Sequence, residues 1–351
     1  MTLDNTLKRR LGTLLDEFES SMRKLPDNGL YKYAKLVSAV HVFDVLEKIC
    51  LDMNKDPYTL LVPCLEKQTS FIGAVTPDLP FIHPEQEEKT RPPLRDDVQK
   101  LYEEAWTVYD QDSYMHSVEL IKNRLAINGL DENFIRGKKC FDGGCGTGRF
   151  CIALAQLGAS QVVGADIGSA SLDFARARVK EYGLENIEFI RQDVTDLSQW
   201  KDGAFDFVIS NGVLHHTIEQ VRGIKEHFRI TKSGGHFWLY LYGAESLYWN
   251  IYDLLMDLVS GIGHHEAKYI MQEFSLKPGS VYTFLDNVYA PIRKYYKLSQ
   301  VQNILQEEGT FTTKLLEGPE DFDSAPRQLN SLFGREIFGP EGEVRAIFFK
   351  D

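Results

Sequence analysis

Residues 139–148 read Lys-Cys-Phe-Asp-Gly-Gly-Cys-Gly-Thr-Gly, a short apolar strand that ends in Asp142 and runs directly into Gly143-Gly144-Cys145-Gly146-Thr147-Gly148. A helical pattern opens at Phe150 and continues to Leu157. A strand, a glycine turn and a helix in that order place a helix N-terminus beside the strand's carboxyl end. There the first N–H groups lack partners, and the helix carries partial positive charge. Gly144, Gly146 and Gly148 let the backbone approach a ligand closely. Phosphate and dinucleotide sites use similar loops, so the glycines alone do not name the ligand. The dinucleotide register requires Gly or Ala where this chain has Arg149, and fails there.

The residues around the loop narrow the choice. Asp142 sits where a carboxylate would repel a pyrophosphate but can organise a loop holding a zwitterionic amino acid. Gln161–Asp166 reads as the next strand, and Asp166 at its end can accept hydrogen bonds from both hydroxyls of a ribose. Ile187–Arg191 reads as a third strand, followed by Gln192-Asp193-Val194. Asp193 can accept from an adenine amino group, with Ile167 and Val194 as apolar walls for the ring. A turn carboxylate is the structural alternative for Asp193. Cys145 reads as a small loop filler.

Further on, Phe205–Ser210 reads as a strand, Ile218–Ile230 as a helix and His236–Tyr242 as a strand, with Ala170–Tyr182 a helix between the second and third strands. Strands alternating with helices imply a parallel sheet with helices on both faces. Leu298–Glu308 is a further helix, and Phe311–Leu316 and Arg345–Phe349 are two closing strands. The expected architecture is an α/β, Rossmann-like fold with a helical N-terminal region and a helical lid insert. Residues 1–95 form the N-terminal lid or dimerisation region, bounded by the proline-rich stretch 76–95. Residues 96–351 form the main domain, with 246–295 as the insert.

Asp-x-Gly-x-Gly-x-Gly, Asp166, Gln192-Asp193 and Ser210-Asn211-Gly212-Val213-Leu214-His215-His216 together resemble the class I S-adenosylmethionine-dependent methyltransferases over roughly residues 130 to 242 and the closing strands. The resemblance implies a seven-stranded, mostly parallel sheet with its last strand antiparallel. It implies S-adenosylmethionine as cofactor and S-adenosylhomocysteine as product. Asp142 then resembles the acid supporting the glycine loop, Asp166 the ribose ligand and Asp193 the adenine contact. Residues 143–148 would hold the methionine part, and Asn211, Gly212 and Val213 would run beside it.

A sulfonium methyl is already activated, so positioning and desolvation are the main tasks. A base is needed only where the acceptor carries a proton at neutral pH. His215 and His216 are the candidate bases, and capping or pocket-shaping is their structural alternative. Tyr242 and Tyr114 are the aromatic candidates, since tyrosine rings attract a sulfonium by cation–π interaction. Trp106, Tyr289 and Arg293 complete the acceptor-side candidates, with Arg293 suited to an acidic acceptor. His264-His265 has no diagnostic ligand spacing, and no metal is expected.

The chain has 351 residues, with 51 acidic against 39 basic, for a formal charge of -12. That charge disfavours a phosphate backbone or an anionic membrane. Residues 210–213 lack the Asn-Pro-Pro-aromatic pattern of base-amine methylation. A small-molecule acceptor, through oxygen, sulfur or nitrogen, is therefore expected. The alternatives are methylation of tRNA or protein, or cofactor binding without catalysis. Five cysteines without a paired spacing, no signal-peptide pattern and no long apolar run point to the cytoplasm. A homodimer is a further expectation.

Overall fold

The computed structural model describes residues 5–75, 111–273, 278–319 and 323–351. The described chain divides into two compact units.

The first unit is helical. It joins Asn5–Lys24, Gly29–Leu51 and Tyr58–Val75 to Leu247–Val259, His264–Glu273, Pro278–Tyr289 and residues Ser331–Ile337. Gly29–Leu51 is apolar around much of its circumference, and Leu36, Ala39, Val42, Phe43 and Leu46 are all buried. Phe43 meets Tyr252 and Phe284 edge-on, at ring separations of 6.1 and 5.4 Å. Glu47 accepts from the hydroxyls of Tyr248 and Tyr252 at 2.8 and 3.0 Å. The stretch read as one long helical insert is three helices, the last ending at Tyr289, before Ala290-Pro291. Proline disfavours a helical residue before it, which stops the helix there. The boundary expected near residue 95 falls outside the described residues.

The second unit holds a seven-stranded sheet: β1 (Lys139–Gly143), β2 (Gln161–Asp166), β3 (Ile187–Arg191), β4 (Phe205–Asn211), β5 (Thr231–Leu241), β6 (Phe311–Leu315) and β7 (Val344–Lys350). Their order across the sheet is β3-β2-β1-β4-β5-β7-β6. β1 to β5 are mutually parallel, and β7 runs antiparallel to both neighbours. The expected seven strands, with the last antiparallel, are present. β5 starts earlier than the apolar run His236–Tyr242 suggested, because Thr231 pairs with Phe205 despite Gly234 and Gly235. Pairing here overrides the local turn signal.

Strand alternation divides the core between the two faces. Cys140, Val162, Phe207 and Trp238 enter one apolar cluster; Phe141, Val163, Val208 and Phe237 enter the other. Both faces are covered, as parallel strands require. Connections leave β1 toward β2 on one side and reach β4 on the other. Such a reversal opens a crevice at the carboxyl ends of the strands.

Gly164 on β2 sets how closely helix Arg149–Gln156 and β3 approach. A Cβ there would lie 2.8 Å from the Cys151 sulfur and 2.8 Å from the Phe189 ring. Gly164→Ala is expected to cost about 1–3 kcal/mol of stability. Urea unfolding measures this, and an unchanged midpoint would contradict the packing described.

Candidate functional site

The glycine loop is fixed from below by β2. The N–H groups of Gly144 and Cys145 both donate to the Ala165 carbonyl, at 2.8 and 3.0 Å. Gly144 has φ +84°, and a Cβ there would lie 2.4 Å from the Val213 methyls. The loop thus rests on the segment after β4, and only glycine fits. At Gly146, φ +51°, a Cβ would meet nothing within 4 Å. The loop is packed at 144 and open at 146, which forms a cradle for a ligand. Behind it, the buried Tyr114 donates its hydroxyl to the Thr147 carbonyl at 2.7 Å.

Asp166 closes the cradle. Its Oδ2 accepts from the Gly146 N–H at 2.9 Å and its Oδ1 from the Gly168 N–H at 2.8 Å. Asp193 stands one strand further out, its Oδ1 accepting from the N–H and hydroxyl of Thr195 at 2.9 and 2.8 Å. That is an Asx turn, which presets the carboxylate's direction. Val194 is buried in the core and Ile167 is half-buried, its carbonyl accepting from Arg191 Nε at 3.1 Å.

Asp142 is enclosed. Its Oδ2 accepts from the Cys151 thiol at 3.4 Å. Burial, reinforced by the charge of Asp166, pushes the Asp142 carboxyl up to about 7, with the Cys151 hydrogen bond opposing. A cationic group arriving at the loop would favour its ionised form.

β4 delivers the other wall. Asn211 Oδ1 accepts from the Trp238 indole at 3.1 Å, and the Gly212 N–H donates to the Tyr240 carbonyl at 3.1 Å. A single 3-10 turn, Leu214–His216, then buries both histidines. The His215 ring stacks on Tyr242 at 3.8 Å and touches His216 at 4.1 Å. His216 Nδ1 donates to the Ile292 carbonyl at 2.7 Å, which leaves its ring fixed. Neither ring nitrogen of His215 has a hydrogen-bond partner among the described residues. Burial lowers His216 to about 4 and holds His215 well below the ordinary histidine value, with His216 and Arg293 adding to the effect on His215. Both rings are neutral at pH 7.

Residues 291–296 form an extended strap along these groups. The Lys294 N–H donates to the His215 carbonyl at 3.1 Å, and that of Tyr296 to the Tyr242 carbonyl at 2.9 Å. Arg293 belongs to this strap, and so to the same unit as the histidines, while Tyr289 belongs to the helical unit. Trp106 lies outside the described residues. Sequence reasoning did not find Cys151 as the partner of Asp142, nor the Trp238 indole and Tyr240 carbonyl that hold Asn211 and Gly212. The first follows from helical spacing after the loop. The second depends on the pairing of β4 with β5, Asn211 opposite Tyr240, which no local motif announces.

Residues 136–275 match the family model described as a methyltransferase domain. Ubiquinone biosynthesis O-methyltransferase of Acinetobacter baylyi is 34% identical over 130 residues, which cover 36% of this chain and 54% of that protein. Demethylmenaquinone methyltransferase of Bacteroides fragilis is 32% identical over 143 residues, covering 40% and 57%. The chain thus spans about half the length of the curated relatives it matches. A solved S-adenosylmethionine dependent methyltransferase from Mesorhizobium loti shares 29% identity with a TM-score of 0.30, covering 34% of this chain and 52% of that one.

The buried histidines carry a pH signature. His227, beneath Gly143, is lowered to about 4 by burial, like His216. As pH falls below about 6.5 the unfolded chain protonates these rings while the folded chain does not. Their contribution to stability is therefore full above about 6.5 and lost as pH falls toward 4. Asp142 works oppositely: its raised value of about 7 makes its contribution fade as pH rises from about 4 to 7. Unfolding free energies between pH 6.5 and 4 are expected to fall less steeply in His227→Gln than in the parent chain. An identical slope would refute the assignment.

Proposed function

We propose, taking residues 136–275 as a class I S-adenosylmethionine-dependent methyltransferase domain, that the chain transfers the methyl group of S-adenosylmethionine to a small-molecule acceptor. The observation that carries this reading is the glycine loop held on the Asp166 carboxylate and open at Gly146. The names of the two relatives favour a small acceptor over a macromolecule.

The residues fit the cofactor by chemistry. Asp166 is the ribose ligand, Asp193 with Ile167 and Val194 the adenine contacts, and residues 143–148 with Asn211, Gly212 and Val213 the holders of the methionine part. Asp142 offers a buried carboxylate whose ionised form an ammonium group would stabilise. When bound, the cofactor supplies a methyl on a positive sulfur, which needs no further activation.

The chain's own work is positioning, exclusion of water and control of one proton. The stacked rings of His215 and Tyr242, with the 291–296 strap beside them, form a buried wall after β4. His216 is committed to the Ile292 carbonyl. His215 is neutral, with its ring nitrogens unengaged among the described residues, and is the base proposed to accept a hydroxyl proton from the acceptor, one that burial makes weaker than an ordinary histidine. Arg293 on the strap favours an acceptor that carries negative charge.

Labelled-methyl transfer into size-fractionated cell extract tests the reading. Label is expected in the small-molecule fraction and is expected to vanish with Asp166→Ala, which weakens cofactor binding about a hundredfold by removing charge-assisted hydrogen bonds. Label confined to RNA or protein would reject a small acceptor. With the acceptor identified, His215→Ala is expected to lower turnover more than tenfold at saturating cofactor. A loss under tenfold in both His215→Ala and His216→Ala would remove proton acceptance from the mechanism.

A further inference from the structure

A circuit of buried and part-buried polar side chains in the second unit starts at Asn211 and ends on Tyr240, whose backbone carbonyl accepts from Gly212. Trp238 on β5 donates its indole N–H to Asn211 Oδ1 at 3.1 Å. The Arg124 guanidinium lies 5.5 Å over the Trp238 ring. Arg124 then pairs with Asp323 at 2.8 Å, and Asp323 is shared with Arg345 on β7. Arg345 Nε donates to Glu343 Oε2 at 2.8 Å, and Gln328 Nε2 donates to the same oxygen at 3.1 Å. Glu343 Oε1 accepts from the Tyr240 hydroxyl at 3.2 Å. The Arg345 guanidinium also lies 3.8 Å over the Tyr240 ring, and the Tyr240 carbonyl accepts the Gly212 N–H at 3.1 Å.

Two cations and two carboxylates balance inside this circuit. Side-chain exposure is 5% for Arg345 and 3% for Glu343. Burying the Arg345–Glu343 pair is expensive, and apolar residues of the same size often give equal or greater stability. A fully connected network instead holds its members at fixed positions. Here one end of the network grips the Asn211 side chain at the end of β4, and the other ends on Tyr240, whose backbone carbonyl holds the Gly212 N–H.

Resting on the proposed cofactor-binding reading, we propose that the Trp238–Arg124–Asp323–Arg345–Glu343–Tyr240 circuit is a positioning device. It holds Asn211 and Gly212 where the methionine part of the cofactor binds. These side chains act through the 211–212 turn and touch no reacting atom. Hydrogen bonds and ion pairs set the height and tilt of that turn, so loosening one link loosens the ligand-facing wall.

The test uses the full chain and S-adenosylhomocysteine as the probe, with affinity read by calorimetry well below the melting temperature. Trp238→Phe keeps an aromatic ring, smaller than the buried indole, and deletes the donor to Asn211. Tyr240→Phe deletes only the hydroxyl to Glu343. Arg345→Met breaks the centre of the circuit. Each is expected to weaken binding about tenfold. The Trp238→Phe, Tyr240→Phe pair is expected to lose less than the product of the single effects, because both act on one turn. Arg229→Met, which removes an ion-pair cluster away from the circuit, serves as the control. It is expected to lower the melting temperature with affinity unchanged. If Arg345→Met fails to fold, the two aromatic variants decide alone. Unchanged affinity in Trp238→Phe and Tyr240→Phe, or an equal loss in the control at matched melting temperature, would overturn the proposal while leaving the cofactor reading intact. Absence of binding by the parent chain would overturn both.

Discussion

The Asp166 carboxylate, held between the Gly146 and Gly168 N–H groups, is the interaction on which the site's geometry depends. A glycine loop is conformationally permissive and would sample many shapes by itself. Three hydrogen bonds to β2 remove that freedom: Gly144 and Cys145 to the Ala165 carbonyl, and Gly146 to Asp166. The loop then inherits the rigidity of a parallel sheet covered on both faces. Val213 completes the constraint from the other side, occupying the space that a side chain at Gly144 would need. The two walls of the crevice, after β1 and after β4, are therefore locked to each other through a contact that only glycine permits.

That constraint also explains where the buried ionisable groups stand. Asp142, His215, His216 and His227 all lie within or directly beneath the two walls, and all are enclosed. Burial opposes charge on each of them: it raises the carboxyl and lowers the imidazoles. Only His216 and His227 recover a backbone hydrogen bond, to Ile292 and Gly223. His215 keeps two unpaired ring nitrogens, a desolvation cost the fold carries without compensation among the described residues.

Much of this was legible in the sequence because the informative features are local. Asp142, the glycines, Asp166 and Asp193 each sit at the end of a short apolar run, and a run followed by a turn signal is read directly. The alternation of strands and helices gave the parallel sheet for the same reason. Non-local features were not legible. The expectation of Tyr114 at the active site does not foresee that its hydroxyl donates to the Thr147 carbonyl, 33 positions away in the chain. Arg293 was read as part of a helical insert, whereas Ala290-Pro291 ends the helix and the following strap brings Arg293 alongside His215 and His216. The Arg345–Glu343–Tyr240 contacts require β7 to pair antiparallel with β5, Tyr240 opposite Arg345. Tyr240 and Glu343 stand 103 positions apart in the chain, so no local pattern carries that register.

The charge state of the site has a consequence for the proposed reaction. Methyl transfer from a sulfonium to an oxygen, sulfur or nitrogen acceptor moves positive charge off the sulfur, and with an anionic acceptor it cancels charge outright. Water stabilises the separated charges of the ground state more than the dispersed charge of the transition state, so a dry site favours the step. A site that excluded water but retained its own ionised groups would reintroduce the strong local fields that water normally screens. Here the histidines nearest the β4 turn are neutral at pH 7, and Asp142 is poised near neutrality. The charged residues Arg124, Asp323, Glu343 and Arg345 are paired in a balanced circuit behind the wall. The opposite charges of that circuit offset one another in number, and its proposed hold on Asn211 and Gly212 is retained. The charged side chains left on the ligand side are then Asp166 and Arg293, the two that the proposed reading pairs with the ribose and with an acidic acceptor.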